Sequence, residues 1–146
     1  MTNIAVIGAG GRMGKALIET IAATDGVQLK GALENPQSSL IGVDAGELAG
    51  IGRNNIALVA FLQEIVGDFD ILIDFSIPAV TAANAAFCAA HGKKMVIGTT
   101  GLDQAQLQSV MQASHSNAVC MASNYATGVN LCFKLAELAA SVLGDE

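Results

Sequence analysis

A strand, a glycine turn and a helix follow one another near residue 8, and that order restricts the fold more than any other feature. The apolar run Ile4-Ala5-Val6-Ile7 leads directly into Gly8-Ala9-Gly10-Gly11-Arg12-Met13-Gly14. Behind the turn, Met13, Ala16, Leu17 and Ile21 form an apolar stripe at helical spacing, with Lys15 and Glu19 on the other face. Glycine lets the backbone turn tightly and come close to a pyrophosphate. The helix that follows presents unpaired N–H groups and its positive dipole end to the anion. Read strictly, the spacing is G-x-x-G-x-x-G (Gly8, Gly11, Gly14), with Gly10 as an extra and Met13 where G-x-G-x-x-G has glycine. Glycine loops recur by chance, so the rest of the chain must decide.

Six short apolar runs recur between helical patterns, at 3–7, 27–33, 57–60, 70–74, 94–97 and 118–121. The stretch 78–91 is almost all Ala, Val, Phe and Cys; Ser76 is placed to cap it and Gly92 to end it. Asp103 and Gln106 have the spacing of a capping box for a helix over about 104–114. Thr127 is placed to cap a last helix running to about 142. Its apolar residues go nearly all the way round, so burial on more than one side is expected, through oligomerisation or through further polypeptide after Glu146. Residues 34–56 show no convincing period and read as a long loop. Strands alternating with helices specify an α/β chain, a doubly wound, mostly parallel sheet of Rossmann-like form over residues 1–146.

Composition narrows the function. The chain has 146 residues, 52% of them apolar and 14% charged, a surplus of apolar surface that suits contact with another domain or subunit. A net charge of −6, with seven scattered basic residues, argues against a nucleic-acid partner. No apolar stretch reaches the roughly 18 residues of a membrane span. Cys88, Cys120 and Cys132 lie in apolar segments without C-x-x-C spacing, which implies buried, reduced thiols and a cytoplasmic setting. No His, Cys and carboxylate cluster has metal-ligand spacing.

In a sheet of this kind ligands bind beyond the carboxyl ends of the strands. The exits carry the glycine turn, then Glu34, then Asp74-Phe75-Ser76, Gly98-Thr99-Thr100-Gly101 and Ala122-Ser123-Asn124-Tyr125. Glu34 stands 20 residues beyond Gly14, where an acid accepts hydrogen bonds from an adenosine ribose. His91 and His115 each precede a strand and so belong to the opposite edge. What remains at the crevice holds no ready acid or base at neutral pH. The residues alone therefore describe a dinucleotide cradle without catalytic groups of its own.

These motifs together resemble dihydrodipicolinate reductase (4-hydroxy-tetrahydrodipicolinate reductase), a nicotinamide-dependent enzyme family of lysine and diaminopimelate synthesis. The matching pieces are Gly8 to Gly14, Asp44-Ala45-Gly46-Glu47-Leu48, Asp74-Phe75-Ser76, Gly98-Thr99-Thr100-Gly101, and Asn124-Tyr125 leading into Gly128-Val129-Asn130. The resemblance implies that Gly8, Ala9, Gly10, Gly11, Arg12 and Met13 hold the pyrophosphate and that Glu34 holds the ribose. It places Phe75, Ser76, Gly98, Thr99, Thr100, Ala122, Ser123, Asn124 and Tyr125 along the rest of the cofactor. The implied reaction is hydride transfer from NADH or NADPH to a small-molecule substrate, a cyclic dicarboxylate imine or its hydrated precursor.

Two departures qualify the resemblance. Many members carry Arg after the ribose-binding acid, where it meets a 2′-phosphate; here that residue is Asn35, which with Glu34 favours NADH over NADPH. The family's His-His pair and following Lys, and the sheet that builds its homotetramer, lie in a C-terminal domain beyond the last helix of this chain. By resemblance this is the cofactor half, expected to lack turnover alone. A stand-alone dinucleotide-binding module and another two-domain amino-acid dehydrogenase share the cradle. A methyltransferase using S-adenosylmethionine shares the turn and the acid, but offers no reason for Gly98-Thr99-Thr100-Gly101.

Overall fold

The computed structural model describes residues 1–144. Six strands, β1 (Thr2–Ile7), β2 (Val27–Leu33), β3 (Leu58–Val59), β4 (Ile71–Asp74), β5 (Lys94–Ile97) and β6 (Val119–Met121), form one sheet in the order β3-β2-β1-β4-β5-β6. Every pairing in it is parallel, and strand order reverses at β1. The helices are α1 (Arg12–Ala22), α2 (Ala45–Ala49), α3 (Pro78–Ala90), α4 (Gln104–Ser114) and α5 (Thr127–Leu143), with a 3-10 turn at Leu62–Ile65.

The pleat assigns the faces. Successive strand side chains point to opposite sides. In β1, Ala5 joins the core under α3 and α4 with Leu72, Ala85, Met95 and Val110, whereas Ile4 and Val6 pack with Ile21 of α1. In β2, Ala32 lies with Ile18 and Leu58 on the α1 and α2 side, and Leu33 on the other. The sheet is thus covered on both faces, as the alternation of strand and helix requires.

Local signals account for several boundaries. The Asp103 carboxylate accepts from the Gln106 N–H, and the Gln106 side chain accepts from the Asp103 N–H, both at 2.8 Å, the reciprocal box read from the spacing. Gly92 takes φ +64° directly after His91 closes α3. Two other caps differ from expectation. Ser76 does not cap α3; its hydroxyl donates to Asp74 instead, and α3 starts at Pro78, which lacks an N–H to satisfy. Thr127 is the first residue of α5 rather than its cap, and no side chain caps that helix.

The long loop is more ordered than its sequence suggests. Within it, α2 is capped by Asp44, whose carboxylate accepts from four backbone N–H groups, those of Gly46, Glu47, Asn54 and Asn55, at 2.7–3.1 Å. Burial opposes ionisation there, but the four donors together hold the carboxyl below its usual range. The cysteines also divide. Cys88 is buried against the sheet, and burial followed by the Asp74 charge pushes its thiol up to about 12; Cys120 and Cys132 are exposed, against expectation. Cys120 lies on the edge strand β6, and Cys132 on α5.

Helix α5 buries no residue within the chain; the burial expected for it was through a second copy or further polypeptide. Leu131, Phe133, Leu135 and Leu138 are all exposed. The faces of the sheet are packed by α1 to α4, and α5 joins none of the three buried clusters.

Candidate functional site

The glycine turn is closed by the backbone. Gly8 sits at φ +74°, Gly11 N–H donates to Gly8 O at 3.0 Å, and Ala9 N–H donates to Leu33 O at 2.9 Å, fastening the turn to the end of β2. Gly14 is required by close approach: a Cβ there would collide with Gly8 O and lie 2.6 Å from Ala9 Cα. Helix α1 then begins with Gly11 as its N-cap, no side-chain cap and no acid in the first turn. Its first N–H groups are therefore free to meet an anion from outside the helix.

Glu34, the residue directly after β2, reaches back to this turn. Its carboxylate accepts from Gly10 N–H and Asn35 N–H, both at 2.9 Å. A Cβ at Gly10 would stand 2.5 Å from Leu40 Cδ1 and 2.8 Å from Glu34 Oε2, so a side chain there would push those two side-chain ends away from the turn. The bond from Gly10 N–H to Glu34 fixes the orientation of the Gly10 peptide.

Three hollows run along the strand exits. One of about 500 Å³ lies between the ends of β3 and β4 and is lined by Gly8, Gly11, Glu34, Phe61, Phe75 and Ser76 among others. A second, about 470 Å³, shares Gly8, Gly11 and Phe75 with it and adds Arg12, Met13 and Gly14. A third, about 210 Å³, lies past β5 and β6 and includes Thr99, Thr100 and Ser123. Phe75 is the one large side chain common to the first two. Its ring lies against Gly98, where a Cβ would collide with it, and its centroid is 6.0 Å from that of Tyr125. Ala9 is buried, and Ala122 and Asn124 line none of these hollows. Ala122 N–H instead donates to Ile97 O, and the Asn124 side chain accepts from Ala126 N–H to shape the turn into α5.

A buried polar cluster beneath the exits has no local sequence signal. Asp74, fully buried at the end of β4, accepts from Ser76 N–H (2.8 Å), Ser76 Oγ (2.6 Å) and Asn84 Nδ2 (3.0 Å). Thr99 Oγ1 donates to it at 3.3 Å while accepting from Thr81 Oγ1 at 2.8 Å. Thr99 thus spends its hydroxyl inward, so only its backbone and the neighbouring Thr100 face the groove. The cluster ties α3 to the exits of β4 and β5.

Tyr125 is likewise committed to the protein. Its hydroxyl donates to Ile97 O at 2.9 Å, with Cys120 O at 3.2 Å. Burial, reinforced by Cys120, raises its pKa above the ordinary phenol value. A proton so placed is not aimed at the groove. His91 and His115 fall at the opposite edge, as read from the sequence; His91 Nδ1 lies 2.8 Å from Phe87 O and its ring stacks on Phe87. No metal-binding cluster occurs among the described residues. Among the described residues that line these three hollows, the charged side chains are Glu34 and Arg12.

A family profile described as dihydrodipicolinate reductase, N-terminus, matches residues 2–125. The 4-hydroxy-tetrahydrodipicolinate reductase of Saccharophagus degradans is 51% identical over 145 residues, which is 99% of this chain and 54% of that protein. The chain therefore spans about half the length of that relative. Among solved structures, a dipicolinate-bound dihydrodipicolinate reductase from Paenisporosarcina sp. TG-14 superposes with a TM-score of 0.73 at 24% identity, over 96% of this chain and 54% of that one. GenD2 of gentamicin A biosynthesis, in complex with NAD, gives 0.66 at 20% identity, over 85% of this chain and 35% of that one. These two likenesses establish the Rossmann-like fold.

Proposed function

The chain belongs to the dihydrodipicolinate reductase family through that family's N-terminal domain, and from this we propose that it is the nicotinamide-dinucleotide-binding part of a reductase acting on 4-hydroxy-tetrahydrodipicolinate. The observation that carries the reading is the uncapped start of α1 behind Gly8, Gly11 and Gly14, with Glu34 fastened to Gly10 beside it. The pyrophosphate lies on the N–H groups of the first turn of α1, where dipole and donors favour a double negative charge. Glu34 keeps its bond to Gly10 and accepts from the ribose hydroxyls with the remaining lone pairs. The nicotinamide end lies toward Gly98, Thr99 and Thr100, with Ser123 and Tyr125 nearby, and Phe75 holds the bend between the two halves. When bound, the cofactor supplies a hydride; this chain binds, bends and orients it.

Glu34 would repel a 2′-phosphate and Asn35 brings no compensating charge, so NADH is preferred over NADPH. Tyr125, whose hydroxyl is spent on Ile97 O, is not the proton donor in this reading. In the same reading the full-length form is a homotetramer working in the cytoplasm. Separately, no helix among the described residues is long and apolar enough to cross a membrane.

Calorimetric titration with NADH and NADPH separately, on the wild type and Glu34→Ala, tests this. Saturable NADH binding, weaker in the variant and weaker for NADPH, is the expected result. A folded chain that binds neither dinucleotide overturns the assignment.

A further inference from the structure

We propose that Phe61 is the stacking face for the adenine base, with Ile77 closing the same slot from the other side; this rests on the cofactor reading above. The register places it there. β2 and β3 run parallel with Leu33 opposite Val59, and Glu34 N–H donates to Val59 O at 3.1 Å. Phe61, two residues past Val59, therefore emerges beside the carboxylate that meets the ribose. The base, one glycosidic bond away from that ribose, has to lie within reach of this exit.

The slot has the right character. Phe61 and Ile77 remain 56% and 61% exposed, on the exits of β3 and β4 that flank one hollow of about 500 Å³. Pro36, Leu62 and Val80 extend the apolar lining between them. Large apolar groups left in water on both flanks of a cavity gain free energy only when something flat and apolar enters. Phe61 is also held ready. Glu64 Oε1 accepts from both Ala60 N–H (3.1 Å) and Phe61 N–H (2.8 Å), so the main chain under the ring is fixed although the ring is exposed. Fixing the backbone beforehand lowers the ordering cost of binding. A base held by its face rather than its edge is retained with little regard to its exocyclic groups.

The test compares ligands with and without the base, on the wild type, Phe61→Ala and Phe61→Tyr, by calorimetry with NADH, AMP and reduced nicotinamide mononucleotide. Thermal melts of each variant check folding. Removing the ring should weaken NADH and AMP by about tenfold to a hundredfold. The mononucleotide should be unaffected, Phe61→Tyr should stay within about twofold, and Ile77→Ala should show the same pattern more weakly. Unchanged AMP and NADH affinity in Phe61→Ala overturns the proposal while leaving the cofactor reading intact, and so does an equal loss for the mononucleotide. Failure of the wild type to bind NADH at all sinks both.

Discussion

Asn84→Asp places a second carboxylate against Asp74, and both positions are buried. Asn84 Nδ2 lies 3.0 Å from Asp74 Oδ2, so the substitution turns a donor–acceptor pair into two facing acceptors. Two charges about 4 Å apart at an effective dielectric of about 20 repel by about 4 kcal/mol. That repulsion holds the introduced carboxyl well above its ordinary range in the folded chain. A carboxyl whose folded pKa is raised destabilises above it and recovers as pH falls. The loss should be about 1.5 kcal/mol at pH 5 and about 4 kcal/mol at pH 8. Urea unfolding followed by circular dichroism reads this as a midpoint lowered by about 2 M at pH 8 and much less at pH 5. The double variant Asp74→Asn with Asn84→Asp restores one carboxylate facing one amide and leaves acceptors for Ser76 and Thr99. It should return to within about 1 kcal/mol of the wild type and lose the pH dependence. An Asn84→Asp midpoint lowered equally at pH 5 and pH 8, or a double variant no better than the single, would refute the reasoning.

Gly14→Ala drives a methyl into Gly8 O and should cost about 3 kcal/mol or more, together with dinucleotide binding. Gly26→Ala, with open space but φ +83°, should cost about 1 kcal/mol in the same melts. Because Asp44 is lowered in the folded chain, its contribution is fully present above the unfolded pKa and fades as pH drops through the folded one. Hydrogen exchange at Asn54 and Asn55 should accelerate there, and Asp44→Asn should abolish that step. Tyr125 should ionise above pH 10 in an ultraviolet titration, and a midpoint at or below the free phenol value would contradict its placement. The bare apolar face of α5 should make the chain self-associate with rising concentration in sedimentation velocity. Leu138→Glu combined with Phe133→Lys should suppress that without changing NADH affinity.

What could be read in advance was what neighbouring residues decide among themselves. The turn from Gly8 to Gly14, the Asp103 and Gln106 box, the Gly92 stop and the alternation that sets sheet order all rest on spacings of a few residues. Glu34 was legible because a strand and a turn fix its distance from the glycines. Ser76 misled because a nearer acceptor, Asp74, took its hydroxyl. Cys120 looked buried by its apolar neighbours, yet β6 is an edge strand with less to cover it. The Asp74 cluster joins residues up to 25 apart through Thr99, and nothing in any one segment announces it. Phe61 lies just past the apolar run 57–60 and carried no signal there, because only the pairing of β2 with β3 brings it beside Glu34.

The central place of β1 also sets an order of events during synthesis. Asn3 N–H bonds to Asp70, 67 residues away, and Asp70 leads directly into β4, the strand that pairs with β1 and ends just before Phe75. A nascent chain that has emerged only as far as residue 60 has its nucleotide loop in sequence but no second flank to hold β1. Contacts so far apart close slowly, because the intervening loop must first surrender its entropy. The earliest segment made is therefore among the later ones to acquire its working shape. Until β4 arrives, the apolar residues of β1 and β2 stand open to solvent, the interval in which this fold is most exposed to aggregation.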